Sequence, residues 1–467
     1  MSCKSIVALG LRPSQGPDGC GYEFTGPAAA VAAEHIAVNP ALLRLLAQGA
    51  RLTRRGELSL IGAEVWAGDD GRVRGRPTGL FGRRFAWRLE RVMESLNSLC
   101  RPIARREGGL VYNLYQPPVP SDRMLRALAR DALRRRGERP APTTCTLQVT
   151  TRCQMDCEHC SAVRFKNRDR SELTVAEWRD VVAQSQDLGI VNIVFTGGEP
   201  LSHPDLCEIV ASVDLERAQP MVFTNGYLLT DDRAAALRDA GLFSVYISID
   251  DPRPEVHDSL RRIPGAFDRA VAGARCALEA GLLVGISTYA TPEAVADGRV
   301  SRMVELAAEV GVHELTVFDV VPTGRLLHSG NLLSPEDKRW LIELQQTHNA
   351  KGEGPHLITQ ALINGPEGSG CFAGYHQYYM TAFGDVNPCD FTPLTFGNIR
   401  EESLQAIWAR LCEHPAYCTH SDHCRMQDPE FRARYIDQIP DDAQLPWPAD
   451  GCPARPWALP VESLRTP

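Results

Sequence analysis

The chain has 467 residues, 43% hydrophobic and 23% charged, a balance that describes a globular protein with room for about two to four domains. Fifty Lys and Arg against 58 Asp and Glu leave a net charge of −8, which excludes a polyanion binder on overall charge, so nucleic acid is not an expected partner. No apolar run approaches the ~20 residues that span a bilayer and no signal-peptide core opens the chain, so no transmembrane segment is expected and the expected location is the cytoplasm.

The first region, 1–140, is basic: residues 1–145 hold 23 Lys and Arg against 13 Asp and Glu. Asp69-Asp70-Gly71, between 63–66 and 72–74, reads as a hairpin turn. Residues 80–100 read as an arginine-bearing helix. The proline-rich stretch 116–120, a basic helical stretch 121–136 and Pro140-Ala141-Pro142 read as linker material. Such a basic α+β region suits docking of an acidic leader peptide, an acidic metabolite or an anionic surface. It suits a solvated face equally well.

The second region, 143–330, alternates regularly. Strands are expected at 146–150, 191–195, 220–223, 244–249, 282–287 and 314–320, with helices at 174–188, 205–213, 231–240, 266–280 and 300–310. Thr174 with Glu177 forms a capping box, and Gly189, Gly241, Gly281 and Gly311 stop helices. Alternation of this kind predicts parallel α/β structure with crossover helices. The unusual residues all follow strand ends: a cysteine loop after the first, Thr196-Gly197-Gly198-Glu199-Pro200 after the second, Thr224-Asn225-Gly226 after the third and Asp250 after the fourth. Collection on one rim is barrel-like. The third region, 331–467, is a cysteine-bearing extension.

Fifteen cysteines are too few for a disulfide scaffold, and in a reducing compartment clustered ones read as metal ligands. Cys153, Cys157 and Cys160 lie within eight residues. A [4Fe–4S] cube usually takes four cysteines, so three in one loop leave an iron open unless a distant cysteine closes it. Structural zinc, with His159 as a further ligand, is the competing reading, and a non-catalytic iron–sulfur or zinc carrier is the competing function.

The loop from Cys153 to Cys160 has the spacing CxxxCxxC and resembles the hallmark of the radical SAM superfamily. Gly197-Gly198-Glu199-Pro200 resembles the same family's GGEP motif. Ser248-Ile249-Asp250, with His257-Asp258-Ser259-Leu260-Arg261 and Gly265-Ala266-Phe267, is similar to a further stretch of these enzymes, although Asp251 and Arg262 stand where glycine is usual. Val321-Pro322-Thr323-Gly324-Arg325 resembles a loop near the adenine side. The resemblance implies a partial (β/α)6 TIM-type barrel. It also implies a [4Fe–4S] cluster held by Cys153, Cys157 and Cys160 whose open iron binds S-adenosylmethionine. Gly197, Gly198, Glu199 and Pro200 would hold the methionine end, and Ser248 and Asp250 the ribose. Reduction by a small donor such as flavodoxin or ferredoxin would yield a 5′-deoxyadenosyl radical that abstracts hydrogen from a substrate C–H, without a catalytic side chain for that step.

Cys371-Phe372-Ala373-Gly374, then Gly384 with Cys389 after four residues, then Phe396-Gly397-Asn398-Ile399, is similar to SPASM and Twitch domains, which carry auxiliary clusters. Only six cysteines follow residue 330, so one auxiliary [4Fe–4S] cluster is expected, on Cys371, Cys389, Cys418 and Cys424. Cys412, Cys452 and Asp428 are candidates for exchange into that set, and His420 and His423 for a Rieske-like or zinc site. The implied outcome is oxidative modification or bond formation in a peptide or small natural product.

Overall fold

A period-two pattern in the middle of the chain decides the architecture. Cys145, Leu147, Ile193, Phe195, Val222, Val245, Ile247, Val284, Ile286, Leu315 and Val317 are all buried in one apolar core. Their neighbours at alternate positions, Thr144, Thr146, Asn192, Thr196, Phe223, Ser248, Ser287, Glu314 and Thr316, line a cavity instead. Successive side chains of a strand point to opposite faces, so one face packs on helices and the other encloses polar space.

The computed structural model describes residues 5–16, 19–25, 58–67, 72–78, 101–107, 109–119, 141–165 and 169–449, with a few helical positions between 86 and 127. At the N-terminus, strands β1 (Ser5–Gly16), β2 (Gly19–Thr25), β3 (Leu58–Ala67) and β4 (Val73–Thr78) form an antiparallel sheet in the order β2-β1-β3-β4. The hairpin expected around Asp69 is the β3/β4 pair, with Ala67 opposite Val73. Its turn and most of the helices expected at 80–100 and 121–136 lie outside the described residues. Two short strands, β5 (Ala104–Arg106) and β6 (Gly109–Val111), precede the barrel.

The barrel strands are β7 (Thr144–Gln148), β8 (Asn192–Thr196), β9 (Gln219–Thr224), β10 (Ser244–Ser248), β11 (Leu283–Ala290), β12 (Glu314–Asp319) and β13 (His356–Thr359). Each pairs in parallel with the next in chain order. A strictly sequential order sends every crossover the same way round, so the sheet curls as a partial barrel rather than reversing as a doubly wound sheet does. The seventh strand lies beyond residue 330. The C-terminal region continues the sheet on the other side: β14 (Gln377–Met380) pairs in parallel with β7, and β15 (Val386–Asn387) antiparallel with β14.

Helices α1 (Val175–Leu188), α2 (Leu206–Val210), α3 (Asp231–Asp239), α4 (Pro254–Arg261), α5 (Ala266–Glu279), α6 (Pro292–Ala296) and α7 (Arg299–Val310) cover the outer face. Thr174 caps α1 as expected: Glu177 N–H donates to Thr174 Oγ1 at 3.3 Å, and Thr174 N–H to Glu177 Oε2 at 2.7 Å. Trp178, Val181 and Val182 are fully buried on its inner face, each worth about 2 kcal/mol. Helix α8 (Pro335–Ala350) packs on β13, and a short helix, α9 (Gln360–Ile363), follows it. Helices α10 (Leu404–Glu413) and α11 (Pro429–Tyr435) follow, and a short strand at Trp447–Pro448 pairs in parallel with Leu394–Thr395. Arg400 fastens this end to the barrel, donating to Glu177 at 2.6 Å and to Ser171 O at 2.9 Å.

The N-terminal mouth of the barrel is stoppered by residues 112–115, an element that no sequence pattern announces. Leu114 is fully buried; its N–H donates to Glu314 Oε2 at 3.0 Å, and its carbonyl accepts from Gln219 Nε2 at 3.1 Å. Asn192 Nδ2 donates to Tyr115 O at 2.7 Å, and His356 Nδ1 lies 2.8 Å from Tyr112 O. Asn192, Gln219, Glu314 and His356 are each the first residue of a barrel strand. Polar side chains at that end therefore satisfy an irregular backbone that crosses the mouth.

Candidate active site

The cysteine loop leaves β7 at the opposite rim and is tied down from four directions. Glu172 accepts from Thr151 N–H at 2.6 Å and from Thr150 Oγ1 at 3.0 Å. The second-strand loop is zipped onto it: Gly198 N–H donates to Thr150 O, and Glu199 N–H to Arg152 O, each at 2.7 Å. Glu158 N–H reaches Leu260 O at 2.9 Å. Arg325 Nη1 donates to Asp156 O at 2.7 Å and Cys157 O at 2.6 Å, and the same side chain pairs with the Asp156 carboxylate. Arg325 lies in a loop the sequence singles out, but its grip on the cysteine loop is visible only in three dimensions.

Gly197 and Gly198 permit a close approach of backbone to backbone. A Cβ on Gly198 would lie 2.4 Å from Arg152 O, and one on Gly197 2.7 Å from Thr150 O. The close approach they permit is to the backbone just before Cys153. Glu199 is buried. Its carboxylate accepts from Leu201 N–H at 3.0 Å, Thr224 Oγ1 at 2.6 Å and Asn225 N–H at 2.8 Å. Burial raises its pKa, and those three donors oppose the rise. It thus joins the second and third rim loops. About one of its four lone-pair sites remains for a ligand.

Cys153, Cys157 and Cys160 are half-buried. N–H donors surround two of the sulfurs: Met155 N lies 3.4 Å and Asn225 Nδ2 4.0 Å from Cys153 Sγ, and Arg261 Nη1 lies 4.0 Å from Cys157 Sγ. Burial pushes the Cys153 thiol up to about 11, and the negative charges of Glu199, Cys157 and Cys160 add to it. Among the described residues, no group of three or more His, Cys, Asp or Glu side chains converges on a single-ion point. The fit to an iron–sulfur cluster rests on the donor set itself. Three thiols share one electrostatic neighbourhood, and oriented N–H groups approach their sulfurs as second-layer partners of a thiolate-held cluster do.

Beside the loop, Asp250 is buried and paired with Arg261, Nε to Oδ2 at 2.6 Å and Nη2 to Oδ1 at 2.9 Å, with His159 Nε2 at 3.4 Å. Burial opposes its ionisation, but Arg261 and His159 outweigh that and hold its pKa well below the usual range. Ser248 Oγ and Ser287 Oγ lie 3.3 Å apart on adjacent strands, both on the cavity. The two residues standing where glycine is usual are also explained. Arg262 has φ +56°, a left-handed conformation that glycine adopts without cost, and its guanidinium reaches Asp156 at 3.1 Å. Asp251 is buried and neutralised by Arg253 at 2.8 Å and Arg299 at 3.6 Å.

At the C-terminal end, Cys371, Cys389 and Cys424 come together. All three line the cavity, and Cys371 and Cys389 are buried. Burial and the neighbouring Cys371 push the Cys389 thiol up to about 12, and burial with Cys371 and Cys389 raises Cys424. Cys418 is exposed, its sulfur 3.7 Å from Pro415 O, and is not part of that lining. Cys412 packs partly buried against the core, and Cys452 lies outside the described residues. Asp428 caps α11 by accepting from Glu430 N–H at 2.9 Å, with His423 Nε2 at 3.4 Å, and His420 Nε2 lies 2.7 Å from Ser369 O.

One cavity of about 1030 Å³ connects these parts. Its lining runs from His159, Asp250 and Arg261 at the cysteine rim to Tyr115 and Glu314 at the stopper, with Cys371, Cys389 and Cys424 on one side. Asp390, next to Cys389, also lines it; burial raises its pKa to about 6.

The sequence profile described as "Radical SAM superfamily" matches residues 147–307, and that of SPASM, an "iron-sulfur cluster-binding domain", matches 371–427. The AdoMet-dependent heme synthase of Methanosarcina barkeri is 29% identical over 57% of this chain and 82% of its own length. The PqqA peptide cyclase of Rhizobium meliloti is 27% identical over 58% of this chain and 77% of its own. Among solved structures, Streptococcus suis SuiB bound to the precursor peptide SuiA shares the fold, with TM-score 0.52, at 16% identity over 74% of this chain and 84% of that one.

Proposed function

Because the chain is a radical SAM enzyme with a C-terminal SPASM domain, we propose that Cys153, Cys157 and Cys160 hold its S-adenosylmethionine-binding [4Fe–4S] cluster. In the same reading Cys371, Cys389 and Cys424 hold an auxiliary cluster, and the substrate is a peptide. When bound, the first cluster and S-adenosylmethionine take one electron and supply a 5′-deoxyadenosyl radical, which removes a hydrogen atom from a substrate C–H bond. The observation that carries the reading is the single cavity, lined at the cysteine rim by His159 and Asp250 and on its side by Cys371, Cys389 and Cys424.

The chain's own residues divide the work. Gly197, Gly198 and Glu199 brace the cysteine loop and leave one carboxylate position for the methionine amine. Ser248 and Asp250 face the ribose, and Pro200 starts the short helix that fixes Glu199. Arg325 and Glu172 hold the loop rigid, and residues 112–115 close the far mouth against water. Cys371, Cys389 and Cys424 line the same cavity, so an auxiliary cluster they hold would lie on the wall of the substrate space and supply one-electron redox chemistry there.

A peptide is supported by the cavity's size and by the peptide-modifying relatives. The heme synthases are as similar in sequence, but a polycarboxylate such as heme would meet Asp390 and Glu314, neither of them ion-paired among the described residues. A flavodoxin- or ferredoxin-like donor, and a cytoplasmic site where thiols stay reduced, complete the proposal. No helix among the described residues is long and apolar enough to cross a membrane. Anaerobic reconstitution with iron and sulfide tests the reading. Dithionite-dependent 5′-deoxyadenosine is expected, lost in Cys157→Ala; its absence from fully reconstituted protein contradicts the assignment.

A further inference from the structure

The polar groups of the deep cavity are lopsided in a way that specifies its ligand. Among the described residues, Arg261 is the one Lys or Arg in the lining; its Nε and Nη2 are committed to Asp250, and its Nη1 approaches Cys157 Sγ at 4.0 Å. Facing the same space are Glu314, Asp319 and Asp390. Asp319 has a partial partner, Lys338 at 3.5 Å. Glu314 spends its oxygens on Leu114 N–H, Tyr246 and Thr316. Asp390 has no ion pair among the described residues, and its Oδ1 has no hydrogen-bond partner.

A second, independent feature points the same way. Asn192 is 4% exposed and lines the cavity, and its Nδ2 is committed to Tyr115 O, which fixes the amide orientation. Its Oδ1 faces no donor. Asp319 Oδ1, on a side chain 7% exposed, is equally without a partner. Buried acceptors left unmatched are costly, so each calls for an N–H or O–H from whatever fills the space. The same lining is also aromatic: Tyr115 and Phe223 lie 6.4 Å apart, Phe223 and Phe318 6.3 Å, and all three line the cavity. Ring faces attract cations.

We propose that the deep cavity between Asp390, Asn192 and the Tyr115–Phe223 wall is the recognition pocket for a cationic, multiply N–H-donating substrate group, a primary ammonium or a guanidinium. This deepens the peptide reading above and rests on it: the group is a lysine or arginine side chain near the residue that loses hydrogen. A neutral side chain of equal length would leave Asp390 Oδ1 and Asn192 Oδ1 unmatched, and an acidic one would repel Asp390.

The test uses anaerobically reconstituted enzyme with S-adenosylmethionine bound. Ligand-observed NMR measures binding of four capped tripeptides, centred on lysine, arginine, norleucine or glutamate, and of butylamine. Lysine and arginine peptides are expected to bind about tenfold tighter than the norleucine peptide, with glutamate weakest. Asp390→Asn and Asn192→Leu, each shown to retain wild-type iron, should erase most of that preference. Tight butylamine binding would keep the pocket but assign it to a free amine. Equal or undetectable binding of all the peptides, tighter binding of the neutral or acidic one, or a preference intact in Asp390→Asn overturns the proposal. Deoxyadenosine is measured in the same samples. If it is absent, the enzymatic reading fails; if it forms without a charge preference, this inference alone fails.

Discussion

The two groups of cysteines are held in opposite ways. Cys153, Cys157 and Cys160 sit on one short loop whose backbone is gripped by Glu172, Gly198, Leu260 and Arg325. Cys371, Cys389 and Cys424 come from segments 53 residues apart at their extremes and are brought together by long-range packing, Cys371 N–H donating to Ser421 O at 2.8 Å while β14 docks on β7. A contiguous loop makes a ligand set local, so spacing alone names it. A dispersed set is decided by packing, and Cys418, expected among the auxiliary ligands, is exposed.

The sharpest break of that comparison is functional. Cys157→Ala should abolish 5′-deoxyadenosine formation. Joint Cys371→Ala and Cys389→Ala should retain it while losing modified substrate, as followed by chromatography of both products. Equal loss of both activities from either group would erase the distinction. Cys418→Ala sharpens the comparison from the other side: with three protein ligands at the auxiliary site, iron content should match wild type, whereas a loss of about four irons would restore Cys418 to the set.

Smaller effects probe the scaffolding. Glu199→Gln turns an amide donor toward the Leu201, Thr224 and Asn225 donors, and should cost about 2 kcal/mol of stability, seen as a lower Tm. His356 at the stopper is fully buried, and burial lowers its pKa to about 4. The unfolded ring titrates near 6.5, so the unfolded chain binds more protons between those values. The contribution is complete above about pH 6.5 and is lost as the pH falls toward 4, by up to about 3 kcal/mol. His356→Gln should flatten that slope in urea melts. The smallest change is Arg262→Gly, which relieves a left-handed backbone while losing the Asp156 pair. The Tm should stay close to that of the wild type.

Much of the barrel is legible in the sequence because its signals are local. All six expected strands are present within a residue or three of their expected bounds, and Thr174 and Gly311 cap the helices they seemed to cap. What is not legible depends on chain segments meeting from a distance. The strand His356–Thr359 is too short to stand out and is identified by its parallel partner Glu314–Val317. The stopper around Leu114 is irregular, so no period marks it; its signal is the polar first residue of four strands. Only packing reveals that Gly198 passes close to Arg152 O. Arg325 and Asp390 carry no local signature of what they face.

The central claim is an iron at the barrel rim that Cys153, Cys157 and Cys160 leave open for S-adenosylmethionine. Mössbauer spectroscopy of ⁵⁷Fe-reconstituted enzyme, with and without S-adenosylmethionine, tests it in a variant lacking Cys371, Cys389 and Cys424. A signal in which one iron of the remaining cluster changes on addition of the ligand is the predicted result. A cluster whose irons all ignore it, or a protein that takes up zinc in place of iron, would contradict the account.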